Sequence, residues 1–505
     1  MLSKITNIMQ SKKLRCNLKK IKLYLICNKK ELAYSFLIAL VFFGSFFRMN
    51  YTTDTYADIM DNYGSISKNF LGAGRFFAYA LYLLYKIGLS INLIYGISFA
   101  LAIISTAISI FILGKYLQKV YIKQKGGWLP YLLSTILVIN PFTIELFFYL
   151  EKGVMISAIL FAILGAIAFH KYTIRRHKHI LITSFIFAFL SCCSYQGVIG
   201  LYVTLSVVFI ILDKIKYKQA IKDFALCIIL YLSAIAFNLL LSKIVNGTTK
   251  SGMMDFDFLA TLFALMHGAK GMFALYNIIP SIIVYLLVVL VCTSYIYNAK
   301  TSQLKHSVFF LGGLILLALI IGTAVLPYLS QSPSNIWFVP RSSWPYAAGI
   351  AIILIYISSQ RNVKEKTLNI TKLSCCVVLL LEFFNFSQII IEHYQVNAMD
   401  ELALKQIGEQ VAEFEKNNNT TITNVAIIND KNISYTYPQK RIIGDVQVMA
   451  MATDWSNVNA LNYYTGRNMV AIRVDDSDDS LCSDNNNLSL DISFIEDDTV
   501  LICKH

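Results

Sequence analysis

The chain has 505 residues, of which 56% are apolar and only 15% are charged, and its mean hydropathy is +0.58. Soluble globular proteins usually carry about a quarter charged residues, so this composition excludes a water-soluble fold for most of the chain. The formal net charge of +14 does not indicate a nucleic-acid partner, because 27 of the 44 Lys and Arg lie in the N-terminal tail and in alternate short loops between apolar segments.

Apolar segments of about 18 residues or more follow one another over most of the chain, which is the length that a helix needs to cross a bilayer. Only helices and closed barrels satisfy their backbone in lipid, and these segments are too long and continuous for barrel strands. The alternation of apolar segments with basic loops predicts eleven transmembrane helices, near 32–47, 92–113, 128–148, 153–170, 180–194, 197–212, 224–241, 277–297, 307–326, 344–357 and 373–391.

The distribution of basic residues also predicts the orientation. Residues 1–31 form a basic tail that we expect on the anionic cytoplasmic surface of the membrane. An odd number of spans then places the C-terminus outside the cytoplasm. We therefore expect a multi-pass protein of the bacterial inner (plasma) membrane, with a transmembrane domain over 32–392 and a long first outer loop over 48–91.

The composition changes after residue 392, where acidic residues outnumber basic ones. Helical spacing over 396–415 and short strands over 421–428, 446–450, 469–474 and 499–503 predict a periplasmic α/β cap over 393–505. The fold class is thus a polytopic all-α membrane protein with a small C-terminal α/β extracytoplasmic domain. Cys482 and Cys503 both fall in the cap, where an oxidising compartment permits a disulfide between them. Two free thiols are the alternative.

The first outer loop contains the residues best suited to chemistry. Asp54, Asp58 and Asp61 stand at i, i+4 and i+7, so a helical conformation would place them on one face. Arg75 precedes an aromatic stretch over 76–85 that is typical of a helix lying at the membrane interface. A carboxylate can take the proton from an attacking hydroxyl, and a guanidinium can hold a leaving phosphate. The pattern favours sugar transfer from a lipid phosphate, with a solvated acidic loop as the alternative.

Other polar residues on the predicted outer face are candidates for binding substrate or phosphate. Glu151 and Lys152 lie in one outer turn, with Glu145 nearby, and a solvated carboxylate is the alternative explanation for them. Tyr195 and Gln196 lie in the next outer turn, where helix packing is the alternative.

Arg341 stands between Trp337 and Trp344 and is a further candidate for binding phosphate. The alternative is an interfacial arginine whose charged end reaches the headgroups. No spacing of Cys with His indicates a metal site, so none is predicted.

These features together resemble the Gtr-type O-antigen glucosyltransferases, the serotype-conversion enzymes of enteric bacteria and their phages. The resemblance rests on the aspartate-containing first outer loop that ends at Gly74–Arg75, on Asn140–Pro141, on Ser194-Tyr195-Gln196 and on the acidic C-terminal cap. The family belongs with the GT-C glycosyltransferases, which bind polyprenyl-phosphate sugars at the first outer loop. It often has paired acids early in this loop, whereas here Thr53 precedes Asp54, so Asp58 and Asp61 stay open as alternative bases.

The resemblance implies a hexosyltransferase that uses undecaprenyl-phosphate-glucose as donor and a hydroxyl of the lipopolysaccharide O-antigen repeat as acceptor, without a cofactor. It also implies a functional link to a sugar-lipid flippase and to a polyprenyl-phosphate glucosyltransferase. Our interpretation makes Asp54 the base and gives the donor phosphate to Arg75 and Arg341. A lipid-linked oligosaccharide flippase would need charged residues along its spans, where Glu382 is the main exception to an apolar interior. An O-antigen polymerase is a third possibility, although a large C-terminal cap is less expected there.

Overall fold

The computed structural model describes residues 26–60, 70–122, 127–213, 217–246, 275, 278–298, 303–328, 339–429, 450, 456–472, 490–496 and 498–504. These residues are mostly helical, with a small four-stranded sheet near the C-terminus. Helices dominate because a peptide group in lipid has no water to bond with, and a helix pairs each N–H with a carbonyl of the same segment.

The helices of the described residues are numbered in chain order. They are α1 (Lys29–Phe43), α2 (Thr53–Met60), α3 (Phe76–Lys86), α4 (Ile91–Val120), α5 (Leu129–Val138), α6 (Thr143–Phe148), α7 (Lys152–Arg175), α8 (Lys178–Ser194), α9 (Gly200–Leu212), α10 (Tyr217–Asn246), α11 (Ile278–Asn298), α12 (Gln303–Val325), α13 (Trp344–Ser358), α14 (Glu365–Asn418) and α15 (Asn457–Thr465). Short 3₁₀ turns lie at Gly44–Phe47, Gln196–Val198 and Leu326–Tyr328.

Seven helices of the described residues are long and apolar enough to cross a membrane, namely α1 with its 3₁₀ extension, α4, α7, α10, α11, α12 and α14. The shorter apolar helices α5, α8, α9 and α13 have 10–17 residues. Ten of the predicted spans each fall on one of these eleven helices, and the third falls on α5 and α6. A helix rises about 1.5 Å per residue, so the shorter ones do not reach across the roughly 30 Å hydrocarbon layer by themselves. The eleven-span topology therefore stays a prediction.

The third predicted span, 128–148, is broken in the structure, and its prediction as one helix was wrong. α5 ends at Val138 and α6 begins at Thr143, because Pro141 has no N–H to continue the helix. The Asn140 side chain accepts from the N–H of Phe142 at 3.0 Å, and the Thr143 hydroxyl donates to the Val138 carbonyl at 2.8 Å. The break is thus stabilised by side chains inside the protein.

α7 lies at the centre of the membrane domain, where most of its side chains are buried against α4, α8 and α9. Its N–H at Gly153 donates to the Ser98 hydroxyl of α4 at 2.9 Å. A Cβ atom at Gly153 would come within 2.4 Å of the Ser98 carbonyl oxygen. Glycine therefore permits the close approach of the two helices, as small residues commonly do in membranes.

A buried polar cluster ties three helices together at the far end of α7. His170 of α7 is fully buried and lies 2.5 Å from the Asp213 carboxylate, just after α9. The Tyr116 hydroxyl of α4 lies 2.5 Å from the other ring nitrogen of His170, and Tyr121 donates to Asp213 at 3.1 Å. These bonds satisfy polar groups that would otherwise be costly to bury.

α14 is a single helix of 54 residues, about 80 Å long at 1.5 Å per residue. It joins the last predicted span, 373–391, to the cap helix predicted over 396–415. The predicted boundary between residues 392 and 393 therefore lies inside a continuous helix. The helix ends at Asn419, which adopts a left-handed conformation with φ +53°.

The cap contains one four-stranded sheet in the order β2-β1-β4-β3, formed by β1 (Asn424–Asn429), β2 (Val470–Ile472), β3 (Leu490–Glu496) and β4 (Thr499–Lys504). β1 runs parallel to β2 and β4, whereas β3 is antiparallel to β4. The sequence predicted strands at β1, β2 and β4 and missed β3 and α15. The strand predicted over 446–450 lies outside the described residues except for its last position.

Cys503 on β4 is disulfide-bonded, while the other cysteines of the described residues are free. Cys482, its predicted partner, lies outside the described residues. The identity of the pair therefore stays a prediction.

The cap and the first outer loop share one hydrophobic core. Tyr56 of α2 is only 1% exposed and packs in a cluster with Leu404 and Leu461 of the cap helices and Val500 of the sheet. An outer-loop helix is thus built into the cap.

Two pairs of tyrosine hydroxyls reinforce this contact. Tyr51 lies 2.9 Å from the Tyr463 hydroxyl, and Tyr56 lies 3.0 Å from the Tyr464 hydroxyl. The amide of Asn397, on α14, both accepts from the N–H of Tyr51 at 3.0 Å and donates to its carbonyl at 2.7 Å. These bonds position the start of the outer loop against α14 and α15.

We predict that Tyr56→Ala destabilises the packing of the cap against the outer loop by about 3–5 kcal/mol, because it leaves a cavity in the shared core. Tyr56→Phe keeps the ring and should cost only about 1 kcal/mol, the value of one hydrogen bond. Protease cleavage of the cap and thermal unfolding in detergent measure the difference. Tyr217→Ala is the matched control because Tyr217 is 78% exposed. Equal stability of the two Tyr56 variants would contradict the shared core.

For the topology, we predict that a reporter active only in the periplasm works when fused after Glu401. The same reporter fused after Lys218 should be silent, because the basic loops are retained in the cytoplasm. Reporter activity of the two fusions, normalised to their amount in the membrane, is the measurement. Activity at both sites would rule out the predicted topology.

Candidate functional site

α2 positions the aspartates of the first outer loop. Thr52 and Thr55 cap its first turn reciprocally: the Thr52 hydroxyl accepts from the N–H of Thr55 at 3.3 Å, and the Thr55 hydroxyl accepts from the N–H of Thr52 at 3.1 Å. This arrangement has the geometry of a capping box and fixes the start of the helix. Asp54 then lies in the first turn, where the positive end of the helix dipole favours a carboxylate.

Asp54 and Asp58 lie one turn apart on α2, so this pair has the helical conformation that places both side chains on one face. They differ in exposure: Asp58 is 3% exposed, whereas Asp54 is half-buried. Asp61, the third predicted aspartate, lies outside the described residues. Of the two described carboxylates, Asp54 is the more exposed.

Arg75 contacts two other residues that the sequence analysis selected. Its Nη1 lies 3.7 Å from Oε1 of Glu151, and its guanidinium lies over the Tyr195 ring, 4.9 Å from the ring centre. Its Nε is buried and has no hydrogen-bond partner among the described residues. The fold therefore brings together Arg75, Glu151 and Tyr195 from three separate segments of the chain.

Lys152, the first residue of α7, is a fully buried lysine. Its Nζ lies 3.5 Å from the centre of the Tyr95 ring and, among the described residues, has no hydrogen-bond partner. A cation over an aromatic face is stabilised by the ring, but the three N–H donors of the ammonium are not satisfied by it.

The charges around Glu151 have opposite effects on its pKa. Burial raises the pKa of Glu151, and the nearby positive charge of Arg75 lowers it. The negative charge of Asp54 raises the same pKa, and Arg341 lowers it. Glu151 thus keeps its proton to a higher pH than an ordinary glutamic acid, and the two carboxylates and two guanidiniums interact electrostatically in one site.

Arg341 has a structural partner that the sequence analysis did not predict. The fully buried Glu145 of α6 accepts from the backbone N–H of Arg341 at 2.5 Å and from its guanidinium. The guanidinium also lies 4.9 Å from the centre of the Tyr149 ring. Trp344 is fully buried and donates to Thr143 at 3.0 Å, so it is not an interfacial tryptophan. Trp337 lies outside the described residues.

Tyr195 and Gln196 have different roles in the structure. Tyr195 is buried, and burial raises its pKa while Arg341 and Arg75 lower it. The Gln196 amide donates to the Ala73 carbonyl and, at 3.1 Å, to Asn238 Oδ1 of α10. Gln196, predicted to bind substrate, here holds the backbone of the first outer loop.

Tyr95 and two residues of α10, Asn238 and Ser242, were not predicted from the sequence. The available signal was a pair of polar residues four positions apart in an apolar span, which often marks a buried contact. No group of three or more His, Cys, Asp and Glu is placed to hold a metal ion within the described ranges.

The site lies within a region that matches a known protein family. The family described as Glucosyl transferase GtrII matches residues 43–356, which is more than half of the chain and includes α2, Arg75, Glu151 and Arg341. Neither a curated protein nor a solved structure matches the chain. The length of the family match, together with the apolar helices, shows that the chain belongs to the GtrII glucosyl transferase family and is a glycosyltransferase of the membrane.

Proposed function

We propose that the protein transfers glucose from undecaprenyl-phosphate-glucose to a hydroxyl of the lipopolysaccharide O-antigen repeat on the periplasmic side of the inner membrane, a serotype conversion. The family supports glucosyl transfer and does not favour a flippase or a polymerase. The observation that carries the rest is the convergence of Asp54, Arg75, Glu151 and Lys152 at one end of the membrane helices.

The buried donors of this site support an anionic ligand. Lys152 Nζ and Arg75 Nε are both buried without a hydrogen-bond partner among the described residues. Both side chains adjoin Glu151, one as its chain neighbour and the other through a 3.7 Å contact. Burying an ammonium without a partner is costly, and phosphate oxygens would satisfy both donors with charge-assisted bonds. We therefore assign Lys152 and Arg75 to the donor phosphate.

Arg341 is not assigned to the donor phosphate in this proposal. Its guanidinium pairs with the buried Glu145, and its positive charge also lowers the pKa of Glu151. The Tyr195 ring stabilises the Arg75 guanidinium through the cation–π contact. A sugar contact by Gln196 would require it to leave the carbonyl of Ala73.

Transfer in this site would proceed by attack of the acceptor oxygen on C1 of the donor glucose. The bond from C1 to the phosphate oxygen breaks, and its electron pair leaves with undecaprenyl phosphate. The proton of the acceptor hydroxyl passes to Asp54 as general base. Arg75 and Lys152 stabilise the negative charge that develops on the leaving phosphate.

We predict that Asp54→Asn lowers the rate of O-antigen glucosylation by about 10²–10⁴-fold, because the amide keeps the shape of the side chain but cannot take a proton. Transfer by equal amounts of membrane-inserted protein is the measurement. Glu401→Gln is the matched control, because Glu401 is exposed and pairs with Lys405. A wild-type rate for Asp54→Asn would move the base to Asp58 or Asp61, whose asparagine variants are assayed in parallel.

We predict that Arg75→Gln raises the KM for the donor about tenfold or more, because a hydrogen bond between charged groups contributes roughly 1.5–3 kcal/mol. Lys86→Gln, an exposed change on the following helix, should leave the KM unchanged. Initial rates over a range of undecaprenyl-phosphate-glucose concentrations give both values.

The same Arg75 variant also tests the electrostatics of the site. Without the guanidinium the pKa of Glu151 rises further, so its ionised form is reached only at higher pH. The pH at which the Glu151 carboxyl titrates, followed by the infrared C=O band of its protonated form, should therefore rise. An unchanged KM together with an unchanged titration of Glu151 would contradict the assignment of Arg75.

A further inference from the structure

The turn before Arg75 is the C-terminal end of a helix, where backbone carbonyls need hydrogen-bond donors from other residues. Residues 70–72 are helical, and Gly74 adopts a left-handed conformation with φ +69°. The N–H of Arg75 donates to the Phe70 carbonyl at 2.8 Å, and the N–H of Gly74 donates to the Leu71 carbonyl at 3.0 Å. This is a Schellman motif with glycine at the left-handed position. The carbonyls that follow in this turn need donors from outside the helix.

Three side chains of the membrane domain supply these donors. Ser242 donates to the carbonyls of Leu71 and Gly72 at 2.6 and 3.1 Å, and Asn238 donates to that of Gly74 at 2.9 Å. Gln196 donates to the carbonyl of Ala73. The four consecutive carbonyls of residues 71–74 thus accept hydrogen bonds from side chains of two other segments. These are the 3₁₀ turn that contains Gln196 and the last turns of α10.

The three donors form one connected unit, which we call the carbonyl cradle (Gln196, Asn238 and Ser242). Asn238 Oδ1 accepts from Gln196 Nε2 at 3.1 Å, so each amide fixes the orientation of the other. Asn238 and Ser242 are both buried and lie four residues apart, on the same face of α10. The cradle is therefore held by the packing of α10 rather than by solvent.

Contact between the cradle and the turn is tight. A Cβ atom at position 74 would come within 2.2 Å of Asn238 Oδ1 and 2.9 Å of Gln196 Nε2. Any other residue would also be strained by the positive φ. Glycine at this position thus lets the backbone approach the cradle closely.

We propose that the carbonyl cradle positions Arg75 for the donor phosphate, an inference that rests on the proposed role of Arg75. The side chain of Arg75 leaves the backbone one residue after the last carbonyl that the cradle holds, so fixing the turn fixes where the guanidinium starts.

Asn238→Ala and Ser242→Ala should each raise the KM for undecaprenyl-phosphate-glucose about five- to tenfold, the value of roughly one lost hydrogen bond, with a smaller effect on kcat. Full-length protein in membrane vesicles is assayed with varied donor and saturating acceptor. Ser233→Ala is the matched control, since Ser233 is exposed on the same helix and should leave the KM unchanged. Should Asn238→Ala insert poorly, Asn238→Leu replaces it, because Leu has a similar shape, loses the donor and adds no charge.

The Arg75→Gln background separates positioning from a general structural effect. If the cradle acts through Arg75, adding Asn238→Ala to Arg75→Gln should leave the KM of the single Arg75 variant unchanged. A further multiplicative rise in the double variant would overturn the inference, because Asn238 would then act on the site by another route. An unchanged KM in both single cradle variants would overturn it as well.

Failure of the inference is distinguishable from failure of the proposed function. Loss of donor affinity in Arg75→Gln with normal Asn238 and Ser242 variants overturns the cradle and leaves the phosphate assignment standing. A normal KM in Arg75→Gln itself overturns the phosphate assignment and the inference with it.

Discussion

Lipid offers no hydrogen bond to a peptide group, and the candidate site depends on how this chain meets that constraint where its helices break. The break at Asn140–Pro141 is completed by the side chains of Asn140 and Thr143. The turn before Arg75 is completed by α10 and Gln196. Both irregular segments are thus satisfied by protein, and they place Glu145 and Arg75 at the ends of apolar helices.

The carboxylate of Asp54 and the guanidinium of Arg75 are held by different parts of the molecule. Asp54 belongs to a helix that is built into the cap through Tyr56, whereas Arg75 follows a turn that is fixed by the membrane domain. Glu151, at the start of α7, interacts with both. Cap and membrane domain therefore contribute jointly to one site, although composition separates them sharply.

Local patterns in the sequence predicted the positions of the apolar helices, because segment length and hydropathy are properties of neighbouring residues. The spacing of Asp54 and Asp58 indicated that a helix would place both on one face, and α2 has that conformation. The pairing of Glu145 with Arg341 joins residues 196 positions apart, and that of Gly74 with Asn238 spans 164 positions, so no local pattern contains them. The continuity of α14 was not predicted. The change in composition near residue 392 reflects a change in the environment of the helix, and the helix itself continues through it.

Because α14 is continuous, it fixes the rotation of the cap about the helix axis relative to the last predicted span. Each residue of an α-helix turns the chain by about 100° and lifts it by about 1.5 Å. One residue inserted into α14 between the last span and Asn397 would swing the far part of the cap around the helix axis and take Tyr463 away from Tyr51. Seven inserted residues would nearly restore the angle but raise the cap by about 10 Å. The length of this helix is therefore a constraint on the chain as strict as the identity of the residues in the site.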